Sequence, residues 1–264
     1  MRTFYSFLPT LTAFIALVLG LLCLFAGTST KVLVSADHFT LYTPTIGNGT
    51  GMHDYYSIYT MTYCEGFLMD NEDKNLTGCS NRTMLFSFDP AQVFAKETGN
   101  TTSLSDLGWP SSVTEDFQAF RLTSRGMSVF YCIGVGLAGL AMLERLWRVV
   151  TRGRPQSAME LCSLLLSFMM FSIASIIATV IAFQFVDLIN SHGESANVTA
   201  GYGRTFLGMT WAAAGLTLVG SMASLAMVML DRVRPGAVVG GGGGGEGGGK
   251  PAMVEDSDSV RSRL

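Results

Sequence analysis

The chain alternates between long stretches that are apolar on every face and segments in which polar residues dominate. Residues 7–26, 127–143, 161–185 and 206–230 contain no Asp, Glu, Lys, Arg or His. At a rise of about 1.5 Å per residue, runs of this order suffice to cross a hydrocarbon layer about 30 Å thick. Helices buried in soluble proteins rarely stay uncharged all round for so long, so the pattern predicts four transmembrane helices.

The remaining segments divide by the same criterion. Residues 1–6 form a short N-terminus, and residues 27–126 are the only loop with a folded domain's worth of sequence. Within it, residues 54–67 (DYYSIYTMTYCEGF) are dense in Tyr, Thr and Ile. Tyr59, Met61 and Tyr63 alternate there with Thr60, Thr62 and Cys64, which predicts a half-buried strand. Further strands are expected at residues 31–34 and 83–88, a short helix after Asp89-Pro90, and a surface loop over 97–112. Residues 144–160 form an Arg-rich connector and 186–205 a short second loop. Residues 231–264 form a tail whose glycines cannot build a core, so it is expected to be disordered.

Composition agrees with this reading. The chain has 264 residues and is 48% hydrophobic but only 14% charged, against about a quarter charged in ordinary soluble domains. A net charge of −3 gives no reason to expect a nucleic-acid partner. The charges that exist are placed asymmetrically. Arg145, Arg148, Arg152 and Arg154 lie in the connector and Arg232 and Arg234 follow the fourth run, so both segments are expected on the cytosolic side. Asn-x-Ser/Thr acceptors for N-glycosylation occur at Asn48, Asn75, Asn81 and Asn100 in the first loop and at Asn197 in the second, all on the opposite side. Both termini are therefore expected in the cytosol. Residues 1–29 also allow a cleaved signal peptide, but the apolar run exceeds the usual core of about 7–15 residues, which favours a retained first span.

Of the five cysteines, Cys23, Cys132 and Cys162 fall in or at the spans, whereas Cys64 and Cys79 share the oxidising side. A disulfide between these two is expected. Closing a loop of about 15 residues stabilises a fold by roughly 3 kcal/mol in the chain-entropy picture. Zinc would need more ligands, since His38 and His53 come without a paired spacing, and no CxxC motif points to redox work. The expected architecture is an all-α transmembrane four-helix bundle with a small, partly β, disulfide-stapled extracellular loop domain.

Tyr63-Cys64-Glu65-Gly66, the second cysteine at Cys79, the run Leu85-Phe86-Ser87-Phe88-Asp89-Pro90 with Val93-Phe94, and Phe117–Arg121 together resemble the fungal SUR-seven/PalI family. These are four-span plasma-membrane proteins, distantly claudin-like in layout. YTMTY stands at residues 59–63, where claudin-like loops carry Gly-Leu-Trp before the first cysteine. The resemblance implies a non-catalytic plasma-membrane scaffold that organises cortical, eisosome-type membrane domains, with effects on endocytosis, cell-wall deposition or ambient-pH signalling. The implied partners are membrane lipids, self or related four-span proteins, and cortical scaffold proteins. No enzyme, cofactor, metal, nucleic acid or small-molecule substrate is expected. An accessory subunit of a sensor, channel or transporter is the alternative.

Chemistry within the spans is sparse. Glu160 at the inner edge of the third run, and Gln184 and Asp187 at its outer end, read as interface residues rather than an ion pathway. Small residues recur at four-residue spacing: Gly134 and Ala138; Ala174, Ala178 and Ala182; Ala213, Thr217 and Ser221; Gly208 and Ala212. Such stripes let helices approach closely, either inside the bundle or between neighbouring copies. Cys162 reads as a small buried residue, with palmitoylation as the alternative. The arginines at 145, 148, 152 and 154, with Trp147, are candidates for binding anionic lipid headgroups.

Overall fold

The computed structural model describes residues 2–29, 33–44, 52–69, 74–99, 111–151, 158–193 and 197–233. Asn48, Asn100, Arg152, Arg154, Arg234, most of the expected 97–112 loop and the glycine-rich tail lie outside them. Among the described residues, four helical segments are long and apolar enough to cross a membrane: Phe7–Phe25, Phe117–Arg148, Ala158–Gly193 and Arg204–Leu230. They belong to α1 (Arg2–Phe25), α3 (Ser111–Thr151), α4 (Ala158–Val180) with its continuation, and α6 (Arg204–Val233). A short helix α2 (Pro90–Glu97) starts as expected after Asp89, whose side chain accepts a bond from Ala91 N at 3.1 Å.

The helices pack in a ring, α1 on α3, α3 on α4, α4 on α6 and α6 on α1. Phe171 of α4 is a fully buried knob at the centre. A Cβ added to Gly20 of α1 would stand 2.8 Å from its ring, and one on Gly134 of α3 would stand 3.3 Å away, so both glycines make room for it. Polar groups in the interior bond across helices: Ser167 Oγ donates to Gly134 O at 2.9 Å, and Ser175 meets Thr210 through their hydroxyls. Side chains such as Phe7, Leu11, Phe14, Met169 and Met222 project outward and are more than half exposed, as lipid-facing residues would be.

At one end of the bundle stands an antiparallel sheet in the order β4-β3-β2-β1-β5. Its strands are β1 (Phe39–Tyr42), β2 (Tyr55–Ile58), β3 (Tyr63–Leu68), β4 (Lys74–Cys79) and β5 (Thr199–Tyr202). Several expectations change here. The single strand over 54–67 is a hairpin, β2 and β3, with the chain reversing at Tyr59–Thr62. Leu33 and Val34 lie at a turn rather than in a strand, and the first strand begins at Phe39. Residues 83–88 form no strand and contain a turn, with Leu85 at φ 60°. The second helix begins about four turns before residue 127, because Phe117 and Phe120 bury themselves while Arg121 and Arg125 interrupt the uncharged run. Residues 186–205 are not simply a loop. The third helix continues through a π-helical turn (Ile181–Phe185) into α5 (Val186–Gly193), and β5 then pairs with β1.

At the end remote from the sheet, Glu160 stands in the first turn of α4. It is 2% exposed and receives Arg145 Nη1 at 2.9 Å and Arg148 Nη2 at 2.6 Å, tying α3 to α4. Its side chain is nearly dry, so removing its charge takes a carboxylate away from two guanidinium groups in a poorly solvated site. Glu160→Gln is expected to destabilise the bundle by about 3–5 kcal/mol, read as a fall in the thermal unfolding midpoint of the purified protein in detergent.

Candidate functional site

The β2–β3 hairpin tip is the part of the sheet that enters the bundle. A helix ends with carbonyls that lack intrahelical partners, and at the end of α1 these must be met from elsewhere. Ala26 N satisfies Leu22 O at 2.9 Å, Thr28 N satisfies Phe25 O at 3.3 Å, and Thr60 Oγ1 donates to Cys23 O at 3.0 Å. Ser128 Oγ of α3 in turn donates to Thr60 O at 3.3 Å. The tip closes on itself through Tyr59 N to Thr62 O at 2.9 Å. Gly27, at φ 70°, lies flat against the Tyr59 ring, where a side chain would overlap it.

Around this plug the inner face of the sheet rests on aromatic rings from the helices. Phe39 of β1 meets Phe120 and Phe185 edge-on at 5.5 Å, and Phe120 stacks on Phe185 at 4.5 Å. His38 is buried between Met127 and Phe206, with Nε2 2.9 Å from Met127 Sδ and its ring 4.2 Å from Phe206. Desolvation there lowers its pKa to about 3.

The YCEG motif opens β3 directly after the hairpin tip and runs outward along it. Tyr63 packs on Phe86 and Phe88. Cys64 lies opposite Cys79 in the β3–β4 ladder and is bonded to it. Glu65 precedes an irregularity in that ladder. Gly66 is required because a Cβ there would overlap Asn75 O and lie 2.6 Å from the Tyr55 hydroxyl oxygen.

The other sequence-derived positions are distributed as follows. Asn75, Asn81 and Asn197 are exposed and all belong to the sheet end. Gly134, Ala138, Ala174, Ala178, Ala182, Ala213, Thr217 and Ser221 are buried inside the ring of helices, whereas Gly208 and Ala212 face outward on α6, as does Gly215. Cys162 is exposed, contrary to the expectation that it is buried, because its position on α4 turns away from α3 and α6. Arg145 and Arg148 point to Glu160 rather than projecting freely toward headgroups, while Trp147 is 72% exposed.

One constellation has no counterpart in sequence spacing. His53, Glu65 and Glu97 converge from the residues just before β2, from β3 and from the end of α2. His53 Nδ1 lies 3.1 Å from Glu97 Oε1, and the Tyr56 hydroxyl donates to Glu97 Oε2 at 2.6 Å. Burial raises the Tyr56 pKa well above that of a free phenol, with Glu97 adding to the effect, so the hydroxyl stays a donor.

The family model for the SUR7/PalI family matches residues 5–223, which take in all four helices, the sheet and the disulfide. The chain belongs to the SUR7/PalI family. The curated proteins give no match to it. Residues 1–4, the last turns of α6 and the glycine-rich tail of this SUR7/PalI protein lie outside the match.

Two measurements test the seat of the sheet in this SUR7/PalI protein. Thr60→Val leaves Cys23 O without its partner in a buried setting and is expected to cost about 1–3 kcal/mol in unfolding experiments in detergent, with Thr60→Ser largely restoring it. His38 titrates at about 3 when folded and about 6.5 when unfolded. The unfolded chain therefore takes up the proton first, so His38 contributes fully above pH ~6.5 and loses its contribution as pH falls toward 3. Relative to His38→Leu, the wild-type protein is expected to lose up to about 1.4 kcal/mol per pH unit across that window, measured as the difference between their unfolding midpoints.

Proposed function

We propose that this protein is a non-catalytic plasma-membrane scaffold that organises cortical, eisosome-type membrane domains and thereby affects endocytosis, cell-wall deposition or pH signalling. Membership of the SUR7/PalI family carries this reading. In it, the sheet faces outward and both termini lie in the cytosol. The exposed sequons Asn75, Asn81 and Asn197 at the sheet end, and Arg145 and Arg148 at the other, support that orientation.

The scaffold reading needs a lateral surface, and the structure suggests where to test for one. Gly208, Ala212 and Gly215 face away from the bundle, and neither glycine has a neighbour within 4 Å of its Cβ position. Small outward-facing residues allow a second helix to approach closely in lipid.

The test is imaging of a fluorescent fusion at the C-terminus. Static, regularly spaced cortical patches are expected, and Gly208→Leu with Ala212→Leu is expected to disperse them without lowering the unfolding midpoint. A uniform surface or internal vesicles for the unsubstituted protein would overturn the proposal. Capture in mild detergent with a stoichiometric receptor or transporter, rather than with itself and cortical scaffold proteins, would instead favour an accessory subunit.

A further inference from the structure

The cluster of His53, Glu65 and Glu97 combines one imidazole and two carboxylates whose ligand atoms all lie within 4.8 Å of one another. We infer that it is a binding site for a divalent transition cation of the zinc type, independent of the scaffold reading. Metal–ligand bonds of about 2.0–2.2 Å place the donors of a tetrahedral ion roughly 3.4 Å apart. His53 Nδ1 and Glu97 Oε1, at 3.1 Å, are already at nearly that spacing. Glu65 needs only a side-chain adjustment to complete a face of three donors, leaving the fourth position to water or an exchangeable ligand. The residues are neither sealed nor freely solvated: the side chains of His53 and Glu97 are 18% and 14% exposed, which provides an entry path.

The surroundings hold the donors in the manner of an outer shell. Glu97 accepts the Tyr56 hydroxyl on Oε2, which leaves Oε1 turned toward His53. The His53 ring is fixed by Phe67 at 4.7 Å and Tyr56 at 6.3 Å. Such supports restrict ligand orientation and matter nearly as much as the ligands themselves.

Charge balance points the same way. Two carboxylates that converge at a half-buried place repel each other. A divalent cation seated between them offsets that repulsion and is held by both carboxylates and the imidazole.

The experiment uses the full-length protein purified in detergent without a histidine tag, stripped with EDTA and titrated with zinc chloride, and separately with cobalt chloride as a spectroscopic probe. The expected result is one equivalent of zinc bound, a higher unfolding midpoint with zinc, and visible absorption from low-coordinate cobalt. Glu65→Gln removes one anionic donor while keeping the shape of the side chain, and is expected to leave the metal-free protein folded. It should weaken zinc binding on the order of 100-fold, since even outer-shell losses cost about 10–100-fold. His192→Ala, a change at an exposed imidazole elsewhere, should leave binding unchanged. Saturation that is equal in the wild-type and Glu65→Gln proteins, or no binding by the wild-type protein, would overturn the assignment and leave the cluster as a hydrogen-bonded link between α2 and the sheet.

Discussion

The structure depends on the unmet carbonyls at the end of α1. A helix that stops inside an apolar bundle cannot leave those groups dry and unpaired. Cys23 O finds its donor in Thr60, from the tip of a hairpin that belongs to the sheet. Ser128 of α3 secures the same tip from the other side. Sheet and helices thus share hydrogen bonds as well as an apolar boundary, and neither can be displaced without exposing buried polar groups of the other. The aromatic contacts of Phe39 with Phe120 and Phe185 are aligned by that plug.

How much of this was legible in the sequence follows from the range of the interactions. The four long helices were visible because hydrophobicity is a property of each segment alone. The disulfide was visible because only two cysteines fall outside the apolar runs, and α2 because Asp-Pro is a local start signal. The hairpin was not, since the alternation of Tyr and Thr runs through Tyr59–Thr62 without a Gly, Pro, Asn or Asp to mark the reversal. Thr60 and Thr62 look like the outer face of a strand, yet both are buried because the turn is inserted into the bundle. β5 was missed because TAGY has little strand character of its own and is held by β1 and by Asn190.

The candidate sites divide in the same way. The arginines of the connector carry a topological signal that a sequence displays, but their pairing with Glu160 is a contact between two helices. His53 and Glu97 are separated by 44 positions, and no spacing rule joins them. The small-residue stripes were legible as stripes, whereas only packing distinguishes the buried face of Ala213 and Thr217 from the outward face of Gly208 and Ala212.

The pairing of β5 with β1 has a consequence for how the chain is made. β1 is synthesised early, yet its outer edge has no partner until residues 199–202 have emerged, some 160 positions later. Throughout that interval it presents a row of free amide and carbonyl groups of the kind that recruit foreign strands. In the finished molecule β5 occupies that edge, and Asn190 engages the backbone of Ala200 with both ends of its amide. A product arrested before residue 199 would therefore be adhesive toward its own kind, whereas a chain that contains β5 has closed that edge.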